Sequence, residues 1–184
     1  MIQDILVPFL TIGLAELGDK TQLAVLCLAP KTKRHLQLLL GIILAFVIAD
    51  GLAVFLGNYI TVLIPMNYIK IGSGILFIIF GVIILVSHKK EETKCDIKVP
   101  FISGFWLILL SEMGDKTQIA SGLFATQFSP IFVLIGVVAA LTILSVIAIY
   151  LGRFVMAKIN EKTISIIAGT LFILIGIAGF FGIF

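Results

Sequence analysis

An all-helical integral membrane protein, with six transmembrane helices arranged as two inverted three-helix repeats, is the fold the sequence predicts. Three observations carry this. Of the 184 residues, 60% are hydrophobic and 12% charged, against about 25% charged in a soluble domain. The apolar residues fall into six runs, at 5–28, 36–57, 68–87, 99–125, 130–151 and 164–184, each close to the roughly 20 residues that carry a helix across a bilayer. A ten-residue segment also occurs twice, as AELGDKTQLA from Ala15 to Ala24 and as SEMGDKTQIA from Ser111 to Ala120.

The spans read as helices because lipid-exposed backbone must satisfy its own hydrogen bonds. Six of them consume about 120 residues, which leaves chain for loops and helix ends but none for a soluble domain. The first run has no basic segment before it and carries Glu16, Asp19 and Lys20 in its middle, so it reads as a retained span and not a signal peptide. The second run holds one acid, Asp50. After the third comes HKKEETKCDIK, His88 to Lys98, the only strongly polar linker. It divides the chain into a first unit at 1–88, a cytosolic linker at 89–98 and a second unit at 99–184. Pro65, Pro100 and Pro130 stand at span ends, where proline breaks no helix interior.

The two units correspond residue by residue. The motif repeats at an offset of 96, and the later spans at 95: Gly41 and Gly57 match Gly136 and Gly152, while Gly74, Leu76, Phe77 and Gly81 match Gly169, Leu171, Phe172 and Gly176. Three spans per unit is an odd number, so the second unit enters the membrane from the opposite side, as in many secondary transporters.

Charge sets the orientation. Lys31, Lys33, Arg34, Lys89, Lys90, Lys94, Lys98, Arg153, Lys158 and Lys162 fall in loops on one side, against Lys70 alone on the other. The positive-inside rule assigns the ten to the cytosol and places both termini outside. Tyr59 and Tyr68 then serve as aromatic anchors at the outer interface. Cys27 and Cys95 fall on the cytosolic side, where thiols stay reduced, and read as small packing residues. Trp106 and the 15 phenylalanines read as lipid-facing or packing residues, and His35 and His88 as loop-edge residues.

The duplicated motif carries the chemistry. Glu16 lies 11 residues past Ile5, about 16 Å into a layer about 30 Å thick, and Glu112 is comparably deep. Acids at the midplane cost at least about 2–3 kcal/mol each on insertion scales, so they are expected to face a polar cavity and to be functional. On a continuous helix Glu16 and Asp19 share a face, as do Glu112 and Asp115. Gly18 and Gly114 permit either close helix approach or a local break that frees carbonyls. Thr21, Gln22, Thr117 and Gln118 add neutral oxygens. If the repeats bring both motifs face to face, four carboxylates converge. With no His or Cys in either motif, such a site favours hard divalent cations, Mn²⁺, Ca²⁺ or Mg²⁺, over zinc or copper. Lys20 and Lys116 are candidate counter-ions for the acids, or snorkel toward an interface. Asp50 is a candidate proton relay, accessory ligand or hydrogen-bonded structural acid.

These residues resemble the small membrane cation/proton antiporters with the duplicated signature E-x-G-D-[KR]-[ST], which include eukaryotic Golgi manganese and calcium transporters and bacterial manganese exporters. Both copies match every position, and the likeness spans essentially the whole chain. It implies export of Mn²⁺ or Ca²⁺ in exchange for protons, with Glu16, Asp19, Glu112 and Asp115 as cation-binding acids. The eukaryotic members' N-terminal extension and long acidic central loop are absent, which points to a prokaryotic plasma membrane. An intramembrane aspartyl protease using Asp19 and Asp115 is the rival reading, but Glu16 stands where its usual Gly-x-Gly-Asp signature has the first glycine. A passive channel is a third. Neither a nucleic-acid motif nor an organic-cofactor motif is visible, so the expected partners are a divalent cation, protons and the lipid bilayer. The sequence fixes no oligomeric state.

Overall fold

A computed structural model describes residues 1–86, 99–156 and 161–180. Its helices are α1 (Ile2–Glu16), α2 (Lys20–Leu28), α3 (His35–Leu63), α4 (Met66–Val86), α5 (Pro100–Glu112), α6 (Lys116–Gln127), α7 (Pro130–Met156) and α8 (Glu161–Phe180). A single 3₁₀ turn, Ala29–Lys31, follows α2. Among the described residues three helices, His35–Leu63, Met66–Val86 and Pro130–Leu151, are each long and apolar enough to cross a membrane.

Two runs expected as single spans are each a pair of helices. The run at 5–28 is α1 followed by α2, and the run at 99–125 is α5 followed by α6, with both interruptions inside the duplicated motif. Elsewhere the helices overrun the apolar stretches: α3 extends to Leu63 and α7 to Met156. Pro65, Pro100 and Pro130 do mark boundaries, Pro100 and Pro130 as first residues of their helices and Pro65 just ahead of α4. The missing proline N–H costs nothing in a first turn. The linker from His88 to Lys98, the loop residue Lys158 and the side chains of Arg153 and Lys162 lie outside the described residues.

Around an apolar core, large apolar side chains are exposed and carboxylates are buried, unlike in a soluble protein. Leu36, Leu40, Leu44, Val47, Phe55 and Tyr59 of α3 are exposed, and Trp106 and Tyr68 lie on the outside as well. Glu16, Thr21, Asp50, Glu112, Thr117 and Ser121 are buried. Apolar side chains outward and carboxylates inward are what a hydrocarbon solvent with a polar interior site selects.

The helices are packed through glycines whose missing side chains let backbones touch. A Cβ on Gly41 would stand 2.2 Å from the Phe101 carbonyl oxygen, and one on Gly136 would stand 2.4 Å from that of Ile5. These are the same contact made twice, since Gly136 corresponds to Gly41 and Ile5 to Phe101. α3 thus packs on α5 and α7 on α1, so each half of the chain grips the other. α4 and α8 pair through Gly74 against Gly176 and Gly81 against Gly169. Beneath them Phe77, Phe124 and Phe172 form one buried cluster, with ring centroids 4.8 Å apart for Phe77 and Phe124 and 5.8 Å for Phe77 and Phe172.

One cysteine expectation is corrected. Cys27 is disulfide-bonded and is not a reduced packing residue. Disulfide formation depends on Cα proximity that sequence spacing does not reveal. Cys95 lies outside the described residues.

Candidate metal centre

Each motif folds as a turn between two half-helices. α1 ends at Glu16; Leu17 then has φ −65° and ψ 109°, Gly18 has φ +83°, and Asp19 N–H donates to Glu16 C=O at 3.2 Å. The second copy repeats this: Met113 at φ −62° and ψ 117°, Gly114 at φ +80°, and Asp115 N–H to Glu112 C=O at 3.1 Å. Both are type II turns, whose third residue requires positive φ and therefore glycine. The pattern E-x-G-D is thus the four residues of that turn. Of the two readings open for Gly18 and Gly114, the structure has the break.

This geometry gives a stability prediction. A Cβ on Gly114 meets nothing within 4 Å, so Gly114→Ala carries only the left-handed backbone penalty, about 1–2 kcal/mol. Asn tolerates that conformation better, so thermal unfolding in detergent should rank wild type above Gly114→Asn above Gly114→Ala. An alanine variant as stable as wild type would contradict the turn.

The break also rearranges the acids. Glu16 and Asp19 do not meet by sharing the face of one helix; they are brought together by the turn. Carboxylate oxygens of Glu16, Asp19 and Asp115 lie within 4.8 Å of one another, uniting acids from both motifs. Glu16 is wholly buried, and neither of its carboxylate oxygens has a hydrogen-bond partner among the described residues. Glu112 sits beside this cluster, within electrostatic reach of Glu16. Its Oε1 accepts from Thr21 Oγ1 of the other motif, and its Oε2 accepts from Thr117 Oγ1 at 3.5 Å.

Lys116 Nζ pairs with Asp19 across the two halves, which places this lysine among the acids and not at an interface. The side chain of Lys20 lies outside the described residues. Gln118 is engaged at both ends: Oε1 accepts Gly114 N–H at 2.7 Å, and Nε2 donates to Ala49 C=O at 2.9 Å. Gln22 is buried, with its Nε2 unpartnered among the described residues. Asp50, on α3, is 1% exposed; its Oδ1 accepts from Ser121 Oγ at 2.9 Å, and its Oδ2 has no partner among the described residues.

Ser121 escaped the sequence reading. The signal was its position four residues after Thr117, on the same helical face as a motif residue.

The half-helix ends add to the field. Glu16 and Glu112 close α1 and α5, whose carbonyl ends favour cations, and Asp19 and Asp115 immediately precede α2 and α6, whose amide ends favour carboxylates. Interrupted helices meeting at buried carboxylates in an apolar bundle define a multi-pass membrane protein of the ion-transport class. The chain belongs to the family of the divalent cation/proton antiporter GDT1, whose description matches residues 4–92 and 100–183; this is a family of transporters, not of enzymes.

Among its relatives, a Vibrio cholerae protein named "Putative manganese exporter" is 28% identical over 171 residues, covering 91% of this chain and 86% of its own. The GDT1-like protein sll0615 of Synechocystis is 30% identical over 191 residues, covering 91% and 92%. The GDT1-like protein 3 of Arabidopsis thaliana is 24% identical over 202 residues, covering 94% and 69%. No solved structure matches the chain significantly.

Proposed function

We propose that the chain is a secondary antiporter that exports Mn²⁺ from the cytosol, with Ca²⁺ as the alternative cargo, in exchange for protons. The observation that carries this is Glu16, a buried carboxylate with no hydrogen-bond partner among the described residues, set against Asp19 and Asp115. A buried charge without partners is costly, and either a hard cation or a proton removes that cost. Competition between the two at one cluster is the chemical basis of exchange. The manganese named for the Vibrio cholerae relative supports Mn²⁺ as cargo.

In this reading Glu16, Asp19, Glu112 and Asp115 bind the cation, with Thr21, Gln22, Thr117 and Gln118 as supporting oxygens. Lys116 and Lys20 hold the carboxylates between cargoes, and Asp50 relays protons. The fold is six spans in two inverted repeats, two of them broken at the motif. The paired Gly41–Phe101 and Gly136–Ile5 contacts support that symmetry. The ten basic loop residues orient the loops that carry them to the cytosol of a prokaryotic cell and both termini outside. The ion pair between Lys116 and Asp19 argues against an aspartyl protease, because a shared-proton dyad requires both aspartates free of a cationic partner.

The test is Mn²⁺ uptake into inside-out vesicles. An inwardly directed Mn²⁺ movement against its own gradient, driven by an imposed acid interior, is the expected result. Flux that no pH gradient drives uphill would mean a channel, and no flux of Mn²⁺ or Ca²⁺ would defeat the transport reading.

A further inference from the structure

α6 is tied to α3 and α4 by side-chain hydrogen bonds, and no such bond runs from α2, its counterpart in the first half, to α7 among the described residues. Gln118 Nε2 holds the Ala49 carbonyl of α3, while its Oε1 holds the Gly114 amide of the turn, so one side chain ties the break to α3. Next along α6, Ser121 Oγ donates to Asp50. Gly122 then lies against α3 so closely that a Cβ on Gly57 would stand 2.1 Å from the Gly122 carbonyl oxygen. At the far end Gln127 Nε2 donates to Ser73 Oγ of α4 at 2.7 Å.

The equivalent positions of α2 hold Gln22, Val25 and Leu26. Gln22 is 4% exposed and its Nε2 has no acceptor among the described residues. Val25 has no hydroxyl to offer, and Leu26 carries a side chain where Gly122 carries none. A buried amide donor without an acceptor is unfavourable, so Gln22 has a hydrogen bond to gain from another arrangement. The acceptor that repeat correspondence assigns to it is the carbonyl of Leu144 on α7, the counterpart of Ala49.

We propose that Gln118 and Gln22 are paired gate latches. The bond from Gln118 to the Ala49 carbonyl closes the path from the carboxylate cluster to the Leu63 end of α3. In the opposite state that bond opens, and Gln22 bonds the Leu144 carbonyl to close the path toward the His35 end. This rests on the antiporter reading and adds gating to it, with one amide serving each side. The latches are unequal: the Leu63-end gate is reinforced by Ser121 with Asp50 and by the Gly57–Gly122 contact, whereas the corresponding α2 positions, Val25 and Leu26, offer neither a hydroxyl nor a missing side chain. The state with that gate closed is therefore the resting one.

The experiment places single cysteines at two buried, corresponding positions, Val54→Cys on α3 and Ile149→Cys on α7, in a chain with Cys27 and Cys95 replaced by alanine. Labelling by a membrane-impermeant maleimide is read in sealed vesicles of both orientations without cargo. Gln118→Met keeps the side-chain length and removes both bonds. It should raise labelling at Val54→Cys and lower it at Ile149→Cys, shifting their ratio about fivefold, the net worth of the one hydrogen bond, to the Ala49 carbonyl, that differs between the two states. Gln22→Met should shift the ratio the other way.

Ser121→Ala is read like Gln118→Met, and suffices if that variant does not reach the membrane. Shifts in the same direction for Gln118→Met and Gln22→Met, a rise at both cysteines, or no shift would overturn the latches. Because cargo is absent, the outcomes separate: opposite shifts without Mn²⁺ flux keep the latches and defeat the cargo reading, and Mn²⁺/proton exchange without opposite shifts does the reverse.

Discussion

Glu16→Gln is expected to weaken Mn²⁺ binding on the order of 100-fold, and uphill export with it. The side chain keeps its shape and loses its charge. One carboxylate attracts a divalent cation about 4 Å away by roughly 8 kcal/mol at an effective dielectric of 20, and the desolvation that this charge no longer suffers returns much of that. A residue of about 2.7 kcal/mol corresponds to the stated factor. Asp19→Asn and Asp115→Asn belong to the same three-oxygen cluster and should fall in the same range.

Glu112→Gln also impairs transport, with an additional signature. Glu112 accepts from both Thr21 and Thr117, and an amide can accept at only one of its two ends. Its loss should therefore also lower thermal stability in cargo-free protein, whereas Glu16→Gln removes an unpartnered buried charge and should leave that stability unchanged or raised. Isothermal titration with Mn²⁺ and unfolding in detergent, run on all four variants, check both halves. Wild-type affinity in any one of them removes that acid from the site.

The second large effect is in the pH dependence of binding. When a cation and a proton compete for one oxygen, apparent metal affinity drops about tenfold for each unit of pH below the competing group's titration, per proton displaced. A bound divalent cation and a proton exclude one another from the same oxygens. Affinity should thus rise steeply with pH across about 5 to 8, and adding Mn²⁺ to weakly buffered protein should acidify the solution. Glu16 and Glu112 are the expected carriers, since glutamate is intrinsically the weaker acid. Glu16→Gln should flatten the slope as well as lower the affinity. Affinity independent of pH, with no proton release, would separate metal movement from proton movement and refute exchange at a shared site.

How far these expectations could be reached without coordinates differs from residue to residue. The apolar runs identified the solvent and hence the helices, because backbone in hydrocarbon has no other way to satisfy its hydrogen bonds. The acids were identified for the same reason: a carboxylate amid twenty apolar residues has no structural excuse. The breaks were only half legible. An averaged apolar run passes straight over a four-residue turn, so 5–28 and 99–125 read as continuous although Gly18 and Gly114 stood at the position a type II turn demands. Ser121 looked like any small polar residue on a helix, and only its distance from Asp50 distinguishes it.

What the sequence determined by itself was local or statistical: an apolar all-helical chain, a duplicated oxygen-rich motif, and a glycine between the two acids of each copy. Those properties depend on residues a few positions apart. Tertiary structure alone decided that Lys116 pairs with Asp19 across 97 positions, that Thr21 holds Glu112 of the other motif, and that Glu16 meets Asp115. It also decided that Gln118 Nε2 is bonded while the Nε2 of Gln22 has no partner among the described residues. Two copies of one motif have the same intrinsic preferences, so nothing within them can say which is engaged. That follows from which half-helix lies closer to its neighbour, and backbone approach is set by packing across the whole bundle, as where Gly57, far from the motif in sequence, meets Gly122 just past its second copy.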